Sequence, residues 1–373
     1  MNLYILLLRN KPKIHLLNPK KSKLVIYDPL VRDEFKNLVS SYDPTYLALS
    51  SEIYLPILFK TFVTKMFGKD QNLVDLYIKK FLSYVNPVLI GTNFEIDCRF
   101  AYFVSNLGWN TFFVQHGYYT QFFVNEDYRS KFREANVTDM FVFNNGVKSN
   151  LQLNYKYQGN FHAIGSVGAN ALINRKICSN SKNKNLYFVS EWEGAITKPQ
   201  YLLCQDQIIQ YCAKYAQSHF LKLKILLRFN ENHPDYEKEK AFYVSATAGN
   251  VEFVAKKTEG TNYKVISDAY GVIFLSSTLG YELLLNYNLA VGCIAYRSLF
   301  PGQESWVFGW PTQTESRGIG FTNIIDYEEI SRVLDDLRVG GISKVVRENL
   351  LEYDCDNKIL KAFLYQKLSA QYT

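Results

Sequence analysis

Small hydroxyl residues follow an apolar run in the segment 271–285, and this order predicts an anion-binding site. Val272–Leu275 is apolar, and Ser276, Ser277 and Thr278 come directly after it, ahead of an amphipathic stretch. Such an order is typical of a buried parallel strand that turns tightly into a helix. The first backbone N–H groups and the positive dipole end of a helix bind phosphate well. The alternative is that Ser276 only caps the helix.

Two further residues of the same segment are assigned to this site. Glu282 lies one turn into the predicted helix, where its carboxylate is expected to reach a sugar or ribose hydroxyl. Gly280 belongs to the same turn. Ser190 and Glu191 follow another predicted strand, and they are expected at the same edge because ligands bind at the carboxyl ends of parallel strands.

A histidine–proline pair adds a second candidate contact to phosphate. His233 and Pro234 follow the predicted strand Lys224–Phe229 after a short polar loop. A histidine can donate a hydrogen bond to phosphate, and proline restricts the local turn. We expect His233 and the Ser276–Thr278 run to contact one phosphate. A surface-loop role for His233 is the alternative.

The strand end at Gln115 is the first of two candidate positions in the N-terminal half. Gln115, His116 and Gly117 follow an apolar run that begins at Thr111. Glycine lets the backbone approach a ligand closely, and His116 could act as a base or a hydrogen-bond donor. The alternative is that Gly117 serves the turn and His116 caps the next helix.

The second position is the strand end at Thr92. Asn93 follows it, and Glu95 and Asp97 open the next predicted helix. A carboxylate here could deprotonate an acceptor hydroxyl, although acidic residues in a first turn are commonly partners of the helix dipole. Residues two apart diverge by about 200° on a helix, so only Glu95 or Asp97 can face a ligand.

Apolar strands and helical stretches alternate along the chain, which predicts α/β architecture. The polar segment Ile177–Lys184 is the best linker. We therefore predict two Rossmann-like domains that face a central cleft: residues 1–176 for the acceptor and residues 185–355 for the nucleotide. Residues 356–373 are expected to form a terminal helix, with a return to the first domain as one option.

The predicted elements support this division. Strands are expected at Lys23–Tyr27, Thr45–Leu49, Pro87–Gly91, Thr111–Gln115, Thr138–Phe143, His162–Ile164, Asn185–Ser190, Lys224–Phe229, Val251–Val254, Val272–Leu275 and Ala290–Ala295. Helical stretches are expected within Ile53–Lys79 and at Glu95–Leu107, Gln200–His219, Tyr327–Leu337, Ser343–Leu351 and Asp356–Gln371.

Composition indicates a globular protein with sizeable cores, since 47% of the 373 residues are hydrophobic and 21% are charged. The formal charge of +7 fits anionic ligands or an anionic membrane surface, and no pattern indicates nucleic-acid binding. Lysines cluster near the start, at Lys11, Lys13, Lys20, Lys21 and Lys23. No apolar run is long enough to span a bilayer, and the cysteines show no disulfide pattern. We therefore expect a cytoplasmic protein, with peripheral contact to an anionic membrane as an option.

Several chemistries lack their signatures in this sequence. It contains no GxSxG, P-loop, GxGxxG or HExxH motif. No Asp-x-Asp follows a predicted strand, and five histidines with scattered cysteines form no zinc spacing. No metal and no cofactor are therefore expected.

Three segments resemble a known family. Ile273–Glu282, the loop residues Phe308–Pro311 with Gly320–Asn323, and Gln115–Gly117 look like O-antigen and surface-polysaccharide biosynthesis proteins of bacteria. More broadly, the chain resembles GT-B glycosyltransferases that use CMP-activated acidic sugars, the sialic acid and Kdo transferases. The resemblance implies that His233-Pro234 and the Ser276–Thr278 run hold the CMP phosphate. It also implies a carboxylate base from the N-terminal domain, for which no motif matches.

The sequence thus predicts a glycosyltransferase that moves an acidic sugar from a CMP-activated donor to a glycan or lipid-linked glycan acceptor for O-antigen, capsule or lipopolysaccharide. His233 would stabilise the departing phosphate, and Glu95, or failing it His116 or Asp97, would be the base. Asn93, Gln115 and Gly117 would bind the acceptor. One alternative is a CDP-polyol phosphotransferase or a nucleotide-sugar epimerase on the same fold. Another is a non-catalytic module that binds a glycan or a nucleotide.

Overall fold

The alternation of apolar and amphipathic segments produces parallel sheets flanked by helices. The computed structural model describes residues 12–27, 33–49, 51–67, 72–92, 98–115, 137–145, 148–149, 152, 159–172, 183–192, 198–255, 265–284, 289–300, 317–342, 352 and 354–369. Internal contacts divide the chain into two compact units. The described residues of the first unit fall within 12–115, 137–164 and 357–369, and those of the second fall within 165–356.

The first unit is built on a six-stranded parallel sheet with the order β3-β2-β5-β6-β7-β8, beside a separate parallel pair of β1 and β4. Its strands are β1 Lys13–His15, β2 Leu24–Tyr27, β3 Thr45–Leu47, β4 Glu52–Tyr54, β5 Leu89–Thr92, β6 Thr111–Val114, β7 Asp139–Val142 and β8 Asn160–Ala163. Its helices before β8 are α1 Asp33–Val39, α2 Leu55–Phe67, α3 Leu73–Val85 and α4 Cys98–Asn106. Every residue of β2, β5, β6 and β7 is buried, as expected for strands covered on both faces.

The second unit has a seven-stranded sheet with the order β11-β10-β9-β12-β13-β15-β14, in which only β14 is antiparallel to its neighbour. Its strands are β9 Asn185–Val189, β10 Lys222–Leu226, β11 Glu252–Val254, β12 Ala269–Phe274, β13 Val291–Ile294, β14 Arg317–Gly318 and β15 Phe321–Thr322. Its helices are α5 Val167–Leu172, α6 Pro199–Ser218, α7 Tyr236–Ala246, α8 Thr278–Leu284 and α9 Tyr327–Asp336.

A last helix, α10 (Lys358–Ser369), belongs to the first unit although it follows the whole second unit in sequence. Phe363 packs against Phe112 and Phe141, with ring centroids 5.6 and 5.0 Å apart. Lys367 lies 3.8 Å from the buried carboxylate of Asp139. This helix therefore contacts both the aromatic core of the first unit and the buried carboxylate of Asp139 in its sheet.

The predicted fold class is confirmed, because each unit is a Rossmann-like α/β unit with a parallel sheet. The units divide between Ile164 and Gly165, earlier than the predicted end of the first domain at residue 176. Helices α1, α5 and α7, strands β14 and β15, and the β1–β4 pair were absent from the prediction. The predicted helix Ser343–Leu351 and most of the predicted linker lie outside the described residues. Within the part of the chain that the structure describes, no helix has the length and apolarity needed to cross a membrane.

Candidate functional site

The strand order of the second sheet places a topological switch point between β9 and β12. From β9 the chain runs outward to β10 and β11, then returns to the other side of β9 and continues through β12 and β13. The connections on the two sides of a switch point diverge and leave a crevice at the carboxyl ends of the strands, where ligands bind in such sheets. Glu191 and Ser276 follow β9 and β12 and stand at this point.

Glu191 occupies the position that the sequence assigned to a phosphate. One of its carboxylate oxygens accepts a hydrogen bond from the Ser276 backbone N–H, and the other accepts one from the Ser276 hydroxyl at 2.7 Å. Ser276 therefore donates to a carboxylate of the protein itself, and its predicted contact with a phosphate stays a prediction. Ser277 and Thr278 are half-buried and remain the candidates for contact with a bound phosphate.

Arg297 brings a positive charge to the same group. It lies in a short 3-10 turn after β13, and its guanidinium is 3.5 Å from the second oxygen of Glu191 and 5.3 Å from the ring centre of Tyr201. Burial, and then the Glu191 charge, raise the pKa of the Cys293 thiol and of the Tyr296 phenol. Both groups are therefore neutral near pH 7.

Ser190 lies in a buried hydrogen-bond network instead of at a ligand surface. Its hydroxyl donates to the carboxylate of Glu239 and accepts from the Tyr243 hydroxyl at 2.9 Å. Ser190 and Glu239 are 5% and 0% exposed. Ser190 thus links the end of β9 to helix α7, and its predicted contact with the nucleotide stays a prediction.

Glu239 also fixes the backbone that follows β10. Its two carboxylate oxygens accept hydrogen bonds from the N–H groups of Arg228, at 2.8 Å, and Phe229, at 3.1 Å. Burial raises the pKa of Glu239, while the three donors around the carboxylate oppose that rise. A buried carboxylate is costly unless it is well hydrogen-bonded, so this one holds the start of the loop in a defined place.

His233 lies in that loop and is oriented by two contacts. Its ring stacks on Phe229, with centroids 3.9 Å apart and planes 6° apart. Its Nδ1 accepts a hydrogen bond from the backbone N–H of Asp235 at 3.1 Å. Because Nδ1 is the acceptor, the proton of the neutral ring is on Nε2. His233 is exposed, so this geometry supplies a donor at the carboxyl edge of the sheet, with Pro234 next to it.

The remaining predicted residues of helix α8 serve packing and polar contact inside the second unit. A Cβ on Gly280 would lie 2.0 Å from the ring of Phe274, so glycine allows α8 to pack closely on β12. The buried carboxylate of Glu282 accepts a hydrogen bond from Ser166 at 2.5 Å. The predicted contacts of Gly280 and Glu282 with a nucleotide sugar stay predictions.

In the first unit, Gln115 is the only predicted site residue within the described ranges. Its side-chain oxygen accepts a hydrogen bond from the Phe143 backbone N–H at 2.9 Å, which ties the end of β6 to the end of β7. The other calls, Asn93, Glu95, Asp97, His116 and Gly117, lie outside the described residues. Across those described residues, no group of three His, Cys, Asp or Glu side chains could hold a metal ion.

A family model described as "putative O-antigen biosynthesis protein" matches residues 112–368. This range is more than half of the chain, and it includes the whole second unit. The chain belongs to this family. No curated protein sequence matches it.

Solved structures share the fold at low sequence identity. Sucrose-phosphate synthase of Thermosynechococcus elongatus has 11% identity and a TM-score of 0.54, over 94% of this chain and 100% of that one. UDP-GlcNAc 2-epimerase of Neisseria meningitidis, bound to UDP-GlcNAc, has 10% identity and a TM-score of 0.55, over 93% and 99%. The wall teichoic acid polymerase TagF has 9% identity and a TM-score of 0.58, over 95% and 91%. At such identities the likeness shows the fold alone.

Sequence reasoning missed Glu239 and Arg297. Glu239 lies in α7, a helix that the sequence pattern did not indicate. Arg297 could have been found, because it follows β13 at the same edge as Ser276 and a cation at a strand end is a recognisable signal.

Proposed function

We propose that this protein is a glycosyltransferase of surface-glycan assembly whose second unit binds a nucleotide-activated sugar. The family supports the biosynthetic context, and the fold is one that carries nucleotide-sugar chemistry in the epimerase bound to UDP-GlcNAc. The observation that carries the proposal is the orientation of His233. Its stacking on Phe229 and its contact with Asp235 leave the Nε2 proton as a donor at the edge where sheets of this kind bind ligands.

Breaking the bond between a sugar and a nucleotide leaves negative charge on the departing phosphate. A donor that is already oriented stabilises this charge without reorganising, which lowers the barrier. His233 is assigned this role. Strands β10 and β12 flank β9, so the ends that lead to His233 and Ser277 are about 10 Å apart. This spacing suits one nucleotide lying across the end of β9, with Ser277 and Thr278 contacting it from the β12 side.

The Glu191–Ser276–Arg297 group is assigned a supporting role beneath that ligand. Glu191 neutralises the start of α8, and Arg297 balances the Glu191 charge. Arg297 also adds a positive charge close to the switch point, where it would favour a bound phosphate. Pro234, Gly280 and Glu282 complete the proposed donor region, the last two through packing and polar contacts that hold α8.

The identity of the donor and the acceptor residues stay predictions. A CMP-linked acidic sugar is the donor predicted from the sequence, whereas the Neisseria epimerase holds UDP-GlcNAc. Glu95, His116 and Asp97 remain candidates for the base, and Asn93, Gln115 and Gly117 for acceptor binding. We place the reaction at the cytoplasmic side of a membrane, where lipid-linked acceptors are accessible to a peripheral protein.

A nucleotide-sugar epimerase is the second candidate function, favoured by the structural likeness to the Neisseria enzyme. The two activities differ in their products. A transferase releases nucleotide only when an acceptor is present or hydrolysis occurs, whereas an epimerase returns an isomeric nucleotide sugar without an acceptor. A CDP-polyol phosphotransferase would transfer the phosphate together with its polyol and release CMP.

A thermal-unfolding panel with CMP, CDP, UMP, UDP, GDP and dTDP tests the proposal. A ligand present at about 100 times its Kd stabilises the folded state by about 2.7 kcal/mol, so one base class should raise the Tm of the full chain by several degrees. The same nucleotide should give a smaller rise in a His233→Ala variant. No shift with any nucleotide would contradict the donor site, and binding without turnover of any donor would favour a non-catalytic module.

A further inference from the structure

Helix α2 has an apolar face that points to solvent. Six of its side chains are apolar and exposed, namely Leu55, Phe59, Phe62, Val63, Met66 and Phe67. Phe59, Met66 and Phe67 are 70%, 82% and 86% exposed. The opposite face, with Ile57, Leu58 and Thr61, is buried against the core of the first unit. An exposed patch of this kind marks an interaction surface.

The positions of the lysines on α2 define the chemistry of this surface. At 100° per residue, the six exposed apolar side chains cover an arc of about 140°; Lys60 lies about 20° beyond one end of it, and the half-buried Lys65 lies about 60° beyond the other. The helix contains no acidic residue. An apolar stripe bordered by lysines is the pattern of a helix that lies in the plane of a membrane interface, with the ammonium groups reaching the headgroups.

The segment after β1 continues the same surface. Strand β1 pairs in parallel with β4, with His15 opposite Tyr54 and their rings stacked at 4.6 Å. Since α2 begins directly after Tyr54, Leu16 and Leu17 emerge beside its first turn, and they are 77% and 80% exposed. The apolar area therefore extends beyond the helix.

One lysine of the N-terminal cluster, Lys21, lies near this surface. The ammonium groups of Lys21 and Lys60 lie 5.7 and 5.6 Å from the centre of the same Tyr84 ring. Lys21 is thus a neighbour of the lysine that borders the apolar helix face. Lys13, in β1, is exposed as well.

We propose that the α2 surface, formed by α2 with Leu16 and Leu17, docks onto an anionic lipid bilayer. The exposed aromatic and Met side chains enter the interface between headgroups and acyl chains, and Lys13, Lys21, Lys60 and Lys65 contact the anionic headgroups. Charge complementarity favours a bilayer over a second copy of this chain, because two copies of a lysine-bordered stripe would bring like charges together. This inference does not depend on the transferase activity.

Vesicle flotation of the full chain tests the proposal, with vesicles of phosphatidylcholine alone or mixed with phosphatidylglycerol. We expect binding to the anionic vesicles that falls with added salt. The triple variant Phe59→Ser, Met66→Ser, Phe67→Ser should reduce the bound fraction by about tenfold or more, because burial of apolar area drives interfacial binding. Exchange of Lys21, Lys60 and Lys65 for Gln should remove the preference for anionic vesicles.

A matched triple variant in the second unit controls for a general loss of surface apolarity. Leu203, Ile319 and Val339 are 71%, 63% and 81% exposed, and their exchange for Ser should leave vesicle binding unchanged. Equal loss in both triple variants, or no vesicle binding by the parent, would overturn the proposal. Sedimentation velocity supplies a separate check: a dimer of the parent that the α2 triple variant abolishes would assign the surface to a second copy instead. Equal thermal stability of the variants shows that each has folded.

Discussion

The two edges of the second sheet carry similar residue types in different arrangements. At the amino edge, the Tyr187 hydroxyl donates to Asp268 at 2.6 Å, and Lys224 pairs with both Asp268 and Glu252 at 3.8 Å. These groups satisfy one another across β9, β10 and β11. At the carboxyl edge, the carboxylate of Glu191 binds the start of a helix, and an exposed histidine is oriented toward solvent.

Two histidines, each stacked on an aromatic ring and one at each edge, illustrate this difference. His219 follows α6 at the amino edge and stacks on Tyr215 at 3.9 Å; its Nδ1 lies 3.0 Å from the Tyr215 carbonyl oxygen, which can only accept. His233 stacks on Phe229, but its Nδ1 accepts from an N–H group. The two rings therefore hold opposite tautomers, and only His233 carries its proton on Nε2. Both residues are histidines that stack on an aromatic ring. They differ in whether Nδ1 donates or accepts a hydrogen bond and in the edge of the sheet at which they lie. These two differences decide which histidine can donate a hydrogen bond to a phosphate.

The largest expected effect is the difference in turnover between alanine variants of these two histidines. His233→Ala should lower turnover about 100-fold, because loss of one oriented donor to a developing charge has this scale. The donor's KM should change less, since the contact strengthens as charge builds. His219→Ala should retain normal turnover. Equal activity of the two variants would contradict the assignment of the carboxyl edge.

One substitution at each edge compares the buried network of Glu239 with the half-exposed network of Tyr187 and Asp268. Glu239→Gln puts an amide NH₂ group in place of one carboxylate oxygen, so that a donor faces a backbone N–H donor. We therefore expect a loss of about 1–3 kcal/mol in the free energy of unfolding. Because Phe229 carries the His233 ring, nucleotide affinity should fall as well. Tyr187→Phe should lower the free energy of unfolding by about 1 kcal/mol and leave the nucleotide affinity unchanged. Urea unfolding and a nucleotide titration measure the two effects separately; unchanged affinity in Glu239→Gln would remove its positioning role.

Alanine substitutions at Gly280 and Gly318 test whether close packing on β12 fixes the position of helix α8. Gly280→Ala should cost about 1–3 kcal/mol, since the new methyl group would overlap the Phe274 ring. Gly318→Ala meets only Phe321, at 3.9 Å, and should be nearly neutral. Thermal unfolding of both variants measures the contrast. A neutral Gly280→Ala would show that α8 can move away from β12.

The smallest effect concerns the amino edge of the first sheet and appears only in acid. Burial raises the pKa of Asp139, but hydrogen bonds from His162 and Asn160 and the charge of Lys367 outweigh it, so the net pKa is lowered. A lowered pKa stabilises the fold above the ordinary pKa near 4, and this stabilisation is lost as the pH falls through the folded-state pKa. The stability gap between the parent and Asp139→Asn should be constant above about pH 5 and shrink below pH 4. Urea unfolding at a series of pH values measures this gap; a constant gap down to pH 3 would contradict it.

The sheet strands were predictable because buried parallel strands are continuous apolar runs. Thr111–Gln115 matches β6 closely, and Val272–Leu275 covers the second half of β12. Helix α7 was not predictable from periodicity, since its sequence YEKEKAFYVSA buries only Glu239, Tyr243 and Ala246. The pattern gave no reason to expect a charged residue on the buried face.

The partners of the site residues were harder to predict than their positions. The sequence placed Ser276 at a helix start, but nothing in it indicates that Glu191, 85 residues earlier, would bind that start. Helix α2 shows the converse case, because apolar residues lie on both its buried and its exposed face. Only the three-dimensional structure shows which of its apolar residues face the core and which face solvent.

Helix α10 has a consequence for synthesis of the chain on the ribosome. The first unit lacks the side chains of Phe363 and Lys367 until the whole second unit has been translated. At about 5–20 residues per second, the interval between β8 and α10 lasts roughly 10–40 s. During that time the rings of Phe112 and Phe141 lack a cover that they have in the finished protein. A stop codon just before α10 would therefore damage the N-terminal unit, far from the mutation in sequence, and leave newly made chains dependent on chaperones.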